Sequence, residues 1–516
     1  MNHRNTTANT PILLTIILLC IFTTLIQGIP HLSALSRGIK LTLCICPFLL
    51  TLAFLFFSYQ RGCLTEEKIV FAIIFSGMLL HCSYVLLSGL YDRQHDEGVY
   101  TGIATDQINP GHIGYIEYIY KFRKLPDLNP YQLFSYYHPP LHYALSGIWL
   151  ILLTSLGMAE DLAFENLQVL PLLYSGLFML LTYRILKKTG AEGISLYAGL
   201  SLTALHPALT IMSGSINNDM LSTLLLACCI YTTLCWMQEK TLKNLLFIAF
   251  SIGLGMLCKI NTAIIAFPIG LIFLLDFIAV VRTKDKISIC RSVRNYVLFG
   301  CSSAIIGLSW IVRNLIRFHV KPGISSATEA SVMYMGDYGI WARLGIPAFG
   351  DWRFSFPFHP LSGDAIHNTW VIMFQTSLFA EVYPTELVGL PLLLCQFAYV
   401  TAIVFAIGSA VLFFMTQYRK FKTDIKTTGL EALFLSTGYL TFLLSFAVFA
   451  LKYPYTCSSD FRYIVICLIY IALGLADSRK LYSGKTISAV LSCIVRIGVC
   501  FTLILTTVIY MTWNQW

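Results

Sequence analysis

A cluster of ionisable residues opens the first long polar segment of the chain, Tyr91-Asp92-Arg93-Gln94-His95-Asp96-Glu97-Gly98. Charges held against a membrane surface are costly unless they are paired or used. A carboxylate at this place could take the proton from an acceptor hydroxyl while an anomeric carbon is attacked, and Asp96 and Glu97 are the candidates. A solvated loop start accounts for the same charges. The segment continues Gly111-His112-Ile113-Gly114-Tyr115 and ends Tyr136-Tyr137-His138-Pro139-Pro140-Leu141-His142-Tyr143. Two prolines impose an extended entry into the following helix. His138 is thereby held at the helix start, where it could donate to a phosphate or bind a metal. A structural histidine beside proline is the plainer reading. His112 is a further candidate for substrate binding.

Other candidates are scattered along the chain. Asp219 stands in Ser215-Ile216-Asn217-Asn218-Asp219-Met220-Leu221, where helix capping competes with a functional role. Lys259, Arg313 and Arg462 are cations able to hold a phosphate, arginine best of all through its two parallel donors. Each could instead be a side chain snorkelling to the membrane interface, and Asp460 could be the structural partner of Arg462. Glu381 ends the late run Gln375-Thr376-Ser377-Leu378-Phe379-Ala380-Glu381. That aromatic-rich segment could close over an acceptor or simply pack. No P-loop, G-x-S-x-G or H-E-x-x-H motif occurs, which argues against ATP-driven transport, hydrolase and zinc-protease chemistry. The residues specify no cofactor and no metal set, although a divalent cation is compatible with the acids.

The elements that must position these groups are membrane helices. Of 516 residues, 57% are hydrophobic and 12% charged, with a mean hydropathy of +0.71. A soluble domain carries about 25% charged residues. Sixteen cysteines, most within apolar runs, read as small buried hydrophobes rather than a disulfide framework. Apolar runs of span length (~20 residues) fall at roughly 11–28, 39–59, 69–90, 166–186, 193–214, 219–237, 244–258, 261–281, 295–314, 386–416, 429–450, 461–477 and 486–511, which is about thirteen. The first is read as a span rather than a signal peptide. The expected fold is therefore an all-α polytopic membrane bundle, a single domain over 1–516. Two long outer loops, 91–165 and 315–385, interrupt it.

Orientation follows from lysine and arginine in the short loops. One set of loops, with Arg4, holds 20 of the 35 basic residues, among them Arg184, Lys187, Lys188, Arg282, Lys284, Lys286, Arg419 and Lys420. That side is cytoplasmic, and so is the N-terminus. The apolar stretch 141–157 must then lie in the outer interface or dip back, because a crossing there would put every later basic loop on the wrong side. The net charge of +9 is thus an orientation signal and does not indicate a nucleic-acid partner.

Taken in order, the motifs resemble the GT-C superfamily of membrane glycosyltransferases. The branch is that of glycosyltransferase family 39, protein O-mannosyltransferases and bacterial aminoarabinose transferases. The resemblance runs over roughly 69–475. It rests on an acidic first outer loop, an H/K-P-P-L-x-Y motif at His138–Tyr143, and an N/T-D-x-L site at Asn218–Leu221. A short span ending in Lys259 and a W-x-x-R-N site at Trp310–Asn314 complete the order. It implies a GT-C-like bundle in which Asp96 is the catalytic base, with Glu97 as its rival. His138 would contact the donor phosphate, and Asp219 would correspond to the aspartate opening the later span. It also implies a polyprenyl-phosphate-linked monosaccharide donor, transferred with inversion to a protein, lipid or cell-surface glycan. The membrane would be the plasma membrane of a bacterium or the endoplasmic reticulum of a eukaryote. The chain has three spans before the acidic loop where the family typically has one. The alternative class is a transporter or flippase, but the charges collect at one face and no internal repeat is visible.

Overall fold

The computed structural model describes residues 4–92, 95–103, 107–320, 333–346, 367–381, 388–423, 428–482, 490, 493–494 and 496–505. Side chains of 4–9, 97 and 477–482 lie outside that description. Among the described residues the fold is helical throughout, with one isolated bridge between Tyr334 and Tyr455. The chain divides into two compact units, 1–185 with 212–325 and 186–211 with 326–516.

The first unit begins with three long apolar helices, α1 (Arg4–Gly28), α2 (Arg37–Gln60) and α3 (Glu66–Leu87). Thr65 starts α3 by accepting the amide of Lys68 at 3.4 Å, with Glu66 and Glu67 in the positive first turn. Two shorter helices follow, α4 (Gly111–Phe122) and α5 (Leu141–Ser155), and they pack on each other. Gly147 permits this approach, since a Cβ there would sit 2.6 Å from Ile119 Cγ2. At 15 residues and ~1.5 Å per residue, α5 is shorter than ~30 Å of hydrocarbon. Next come α6 (Val169–Lys188), which runs across the division between units, and then α7 (Gly193–Ala204) in the second unit.

The first unit resumes with α8 (Asp219–Gln238), α9 (Leu242–Cys258), α10 (Ala266–Arg282) and α11 (Lys286–Phe318). Asp285 caps α11, accepting the amides of Ile287 and Ser288 at 3.1 and 3.3 Å. In the second unit α12 (Thr369–Phe379) precedes α13 (Leu390–Thr423), α14 (Thr428–Lys452) and α15 (Cys467–Tyr482). Here α7 lies against α15 with Gly199 facing the Ala472 carbonyl, and α13 packs on both α14 and α15. Arg343 is 3% exposed; its guanidinium donates to the carbonyls of Leu451, at 3.1 Å, and of Ala450. It thus satisfies the carbonyls at the end of α14 that no helical amide can reach.

Nine helices among the described residues are long and apolar enough to cross a membrane. Their outer faces carry exposed apolar side chains such as Leu50 at 70%, and the apolar window of α11 is only 6% buried. The protein is an integral membrane protein. Among the described residues the count of thirteen spans is not confirmed. Three expected spans coincide with apolar helices that are shorter, Gly193–Ala204, Leu242–Cys258 and Cys467–Tyr482, and the span expected at 486–511 lies largely outside the described residues. The first of these stops because Pro207 removes a backbone donor and restricts His206, so 193–214 is two helical pieces. All 16 cysteines are free thiols.

Candidate functional site

The first acidic loop and the Ser215–Asp219 turn, far apart in sequence, meet in the first unit. The His95 amide donates to Ser215 Oγ at 3.3 Å, and the Ile216 amide to the Tyr100 hydroxyl at 2.6 Å. Asn217 Nδ2 donates to Asp96 Oδ2 at 3.1 Å. Asp96 itself has φ +62°, a left-handed conformation that aspartate tolerates better than most residues. The loop then folds tightly onto the start of α4. Gly111, at φ +94°, leaves room there that a Cβ would fill 2.6 Å from the Val99 carbonyl. Tyr100 is fully buried, and burial, its largest influence, with the Asp96 charge second, holds its hydroxyl well above the usual range. It therefore remains a neutral hydrogen-bonding group.

His112, on the first turn of α4, sets Nε2 3.9 Å from Asp96 Oδ2, while its Nδ1 lies 2.7 Å from the Tyr143 hydroxyl. Its ring is one member of a column of near-parallel rings. Tyr136 stacks on Tyr115 at 4.8 Å and Tyr115 on Tyr143 at 4.2 Å. Tyr143 lies 5.9 Å from His112, and His112 lies 5.4 Å from His138, interplanar 9° and 20°. Offset stacking of this kind contributes about 0.5–1.5 kcal/mol per pair beyond area burial. The His138-Pro139-Pro140 segment leads into α5, with Pro140 already in the right-handed helical region at its N-cap rather than extended as expected. One turn further, His142 is fully buried, and neither of its ring nitrogens has a hydrogen-bond partner among the described residues. Burial, reinforced by His112, pushes its pKa down to about 3, so the ring is neutral.

Asp219 is the first residue of α8 and does not cap it. Its carboxylate pairs with Lys259, both nearly buried, and its amide donates to Asn217 Oδ1 at 3.0 Å. Asn218 and Cys258 tie the two helix ends together, Asn218 Nδ2 to the Cys258 carbonyl at 2.8 Å. Arg313 lies over the Trp310 ring at 4.3 Å and donates to the Pro126 carbonyl at 2.7 Å and Asp127 at 3.1 Å. Arg317 also pairs with Asp127. Arg313 thus fastens the α4–α5 connection to α11.

The backbone of Glu97 lies in the turn 97–99, and its side chain is outside the described residues. Arg462 and Glu381 belong to the second unit. The Arg462 amide donates to Asp460 Oδ1 at 2.8 Å, and its guanidinium lies 5.3 Å from the Tyr463 ring. Carboxylate oxygens of Glu381 and Asp460 come within 4.8 Å of each other. The same unit holds a cavity of about 640 Å³ lined almost wholly by apolar side chains, among them Trp370, Phe374, Tyr399, Ile403 and Leu468. Its chemistry suits a hydrocarbon chain.

Asp96, His112 and His138 are thus brought together, with Asn217 and Tyr143 as members that the sequence did not single out. Tyr143 ends the P-P-L motif, and Asn217 stands two residues before Asp219, so both were within reach of a motif-based search.

Comparison with curated protein sequences gives no match. Among solved structures, the apo oligosaccharyltransferase of Archaeoglobus fulgidus is similar with a TM-score of 0.45 at 12% identity. The archaeal oligosaccharyltransferase in complex with an inhibitory peptide and a dolichol-phosphate gives 0.44 at 12%. Each alignment covers 85% of this chain, which spans 56% and 55% of the length of those proteins. Residues 138–294 match the family model of dolichyl-phosphate-mannose-protein mannosyltransferases, a segment that starts at His138 and includes Asp219 and Lys259. The resemblance to the mannosyltransferase branch of the GT-C superfamily, drawn from the order of motifs, is borne out over that segment.

Proposed function

We propose that the protein is a GT-C-type membrane glycosyltransferase. It moves a monosaccharide from a polyprenyl-phosphate carrier of the dolichyl-phosphate-mannose kind to an acceptor hydroxyl at the outer face of the membrane. A protein is the favoured acceptor. In a single inverting displacement the acceptor oxygen bonds to the anomeric carbon as the bond to the phosphate oxygen breaks. Asp96 takes the acceptor proton, and the polyprenyl phosphate leaves. One base and one stabilised leaving group suffice, unlike the carboxylate pair of a glycosidase.

The observation that carries this reading is the seating of Asp96. Its carboxylate is held by Asn217 beside His112, the ring of the column that stacks on His138. His138 is the favoured phosphate donor by its place at the start of the H/K-P-P-L-x-Y motif, where the family match begins; Lys259 pairs with Asp219 and Arg313 with Asp127. Glu97, Arg462 and Glu381 are tested in the same series of variants. The apolar cavity of the second unit supports a lipid ligand.

The test is transfer of label from dolichyl-phosphate mannose to a serine/threonine peptide by the purified protein. Asp96→Asn should lower the rate by about 10²–10⁴-fold with donor binding retained. Near-normal Asp96→Asn beside an inactive Glu97→Gln would move the base to Glu97, and full activity of both would remove this loop from catalysis.

A further inference from the structure

We propose that Tyr143 and His112 are positioning residues for Asp96: the Tyr143 hydroxyl locks His112 in the tautomer whose Nε2–H faces the carboxylate. The inference rests on Asp96 being the base. Three observations converge on it. The first is the hydrogen bond between the Tyr143 hydroxyl and His112 Nδ1 at 2.7 Å, with both residues buried. The second is the direction of the other nitrogen, Nε2, toward Asp96 Oδ2 at 3.9 Å. The third is the ring column, which removes the torsional freedom that would let the imidazole turn away.

For a neutral imidazole, one proton arrangement satisfies both contacts. A neutral imidazole carries one N–H, and the partner of one nitrogen fixes the state of the other. If Nδ1 carried the proton, the lone pair of Nε2 would face the carboxylate of Asp96, a repulsive pairing. If the Tyr143 hydroxyl donates to Nδ1, the imidazole proton sits on Nε2 and points at the anion. Tyr143 has a proton to give, since burial holds its hydroxyl well above the usual range. A separation of 3.9 Å is longer than a hydrogen bond, and such contacts tighten in the substrate complex.

The consequence is chemical as well as geometric. A donor facing the charged carboxylate favours the ionised base and lowers its pKa. Together with the Asn217 amide it holds the carboxylate in the state and direction that proton abstraction needs. Among the described residues, titratable groups facing this pair are Tyr100 from the loop, Tyr115 from α4, Tyr137, His138 and His142 from the entry into α5 and its first turn, Asp219 at the start of α8 and Cys258 at the end of α9. Burial keeps Tyr100 and His142 neutral.

The experiment is the pH profile of kcat/KM for transfer from dolichyl-phosphate mannose, with Tyr143→Phe, His112→Gln, His112→Leu and Asp96→Asn compared. Tyr143→Phe keeps the stacked ring and removes only the hydroxyl. It should lower kcat roughly tenfold with KM for the donor unchanged, and raise the acid limb by roughly one pH unit. Glutamine places an amide N–H near the position of Nε2, so His112→Gln should retain several-fold more activity than His112→Leu. Should Tyr143→Phe fail to fold, the comparison of the two His112 variants decides alone. An unchanged kcat and acid limb in Tyr143→Phe, or equal activity of His112→Gln and His112→Leu, beside an inactive Asp96→Asn, overturns the positioning role and leaves the base in place. An active Asp96→Asn overturns both.

Discussion

The Asp219–Lys259 pair offers a clean separation of structure from function. Only 4% of the aspartate side chain and 13% of the lysine side chain are exposed. The pair joins the first turn of α8 to the residue that ends α9. Removing one member of a buried pair costs about 3–5 kcal/mol, because the other charge is left in a poorly solvated place. The slight exposure of Lys259 argues for the lower end, so Asp219→Asn and Lys259→Met should each destabilise by about 3 kcal/mol. The double variant has no stranded charge and should cost no more than either single change. The coupling in a double-mutant cycle is then about 3 kcal/mol. The measurement is equilibrium unfolding of the four proteins in lipid nanodiscs, followed by tryptophan fluorescence. Strictly additive losses would refute the pairing argument. The same proteins answer a second question: if the stable double variant is inactive in sugar transfer, the charges also serve the substrate, whereas recovered activity assigns them to structure alone.

Four further outcomes are expected. Asp127→Asn should lower stability by less than about 1 kcal/mol, because its carboxylate is 41% exposed and exposed pairs are weak; a larger loss in thermal scans would show that the Arg313 clamp is stronger than its exposure implies. Arg343→Met removes the donors to the Ala450 and Leu451 carbonyls and should destabilise by about 2–4 kcal/mol, with Arg343→Lys recovering part of the loss in the same unfolding assay. Gly438→Ala would push a Cβ to 2.5 Å from the Tyr470 hydroxyl and should cost about 1–3 kcal/mol by overpacking; an unaffected melting temperature would contradict the packing. Acid should also weaken the fold through His142. Its folded pKa is depressed to about 3 from 6.5, so its contribution is complete above pH 6.5 and is lost as pH falls toward 3. The loss at pH 5 is roughly 2 kcal/mol. Wild type should therefore lose stability relative to His142→Leu on acidification, and parallel pH curves would exclude this role.

Much of the architecture was legible in hydropathy alone, because a lipid-facing helix must be apolar around most of its surface. The distribution of lysine and arginine, rather than composition, is what set 141–157 apart from the expected spans, since that stretch is apolar enough to span. The span expected at 193–214 failed at His206-Pro207, although the proline was visible, because length and mean apolarity were weighed above the local break. The site was legible as separate pieces. Nothing in the sequence said that Asn217 would donate to Asp96, since that contact joins residues 121 positions apart. The sequence did not pair Arg313 with Asp127, because Asp127 lies 186 positions away in a distant loop. Tyr143 was legible as the end of a motif, but its contact with His112 depends on the rotation of two rings, which no motif encodes.

The ring column also gives the site an optical identity. Tyr136, Tyr115 and Tyr143 lie within 6° of parallel at 4.2 and 4.8 Å, close enough for their transition dipoles to couple. Near-ultraviolet circular dichroism reports fixed aromatic packing and is lost when that packing loosens. The difference spectrum between wild type and Tyr115→Leu should therefore isolate the stack from the other aromatic residues. Because the same column carries His112 and His138, that signal would follow the order of the site as donor is added, without any label.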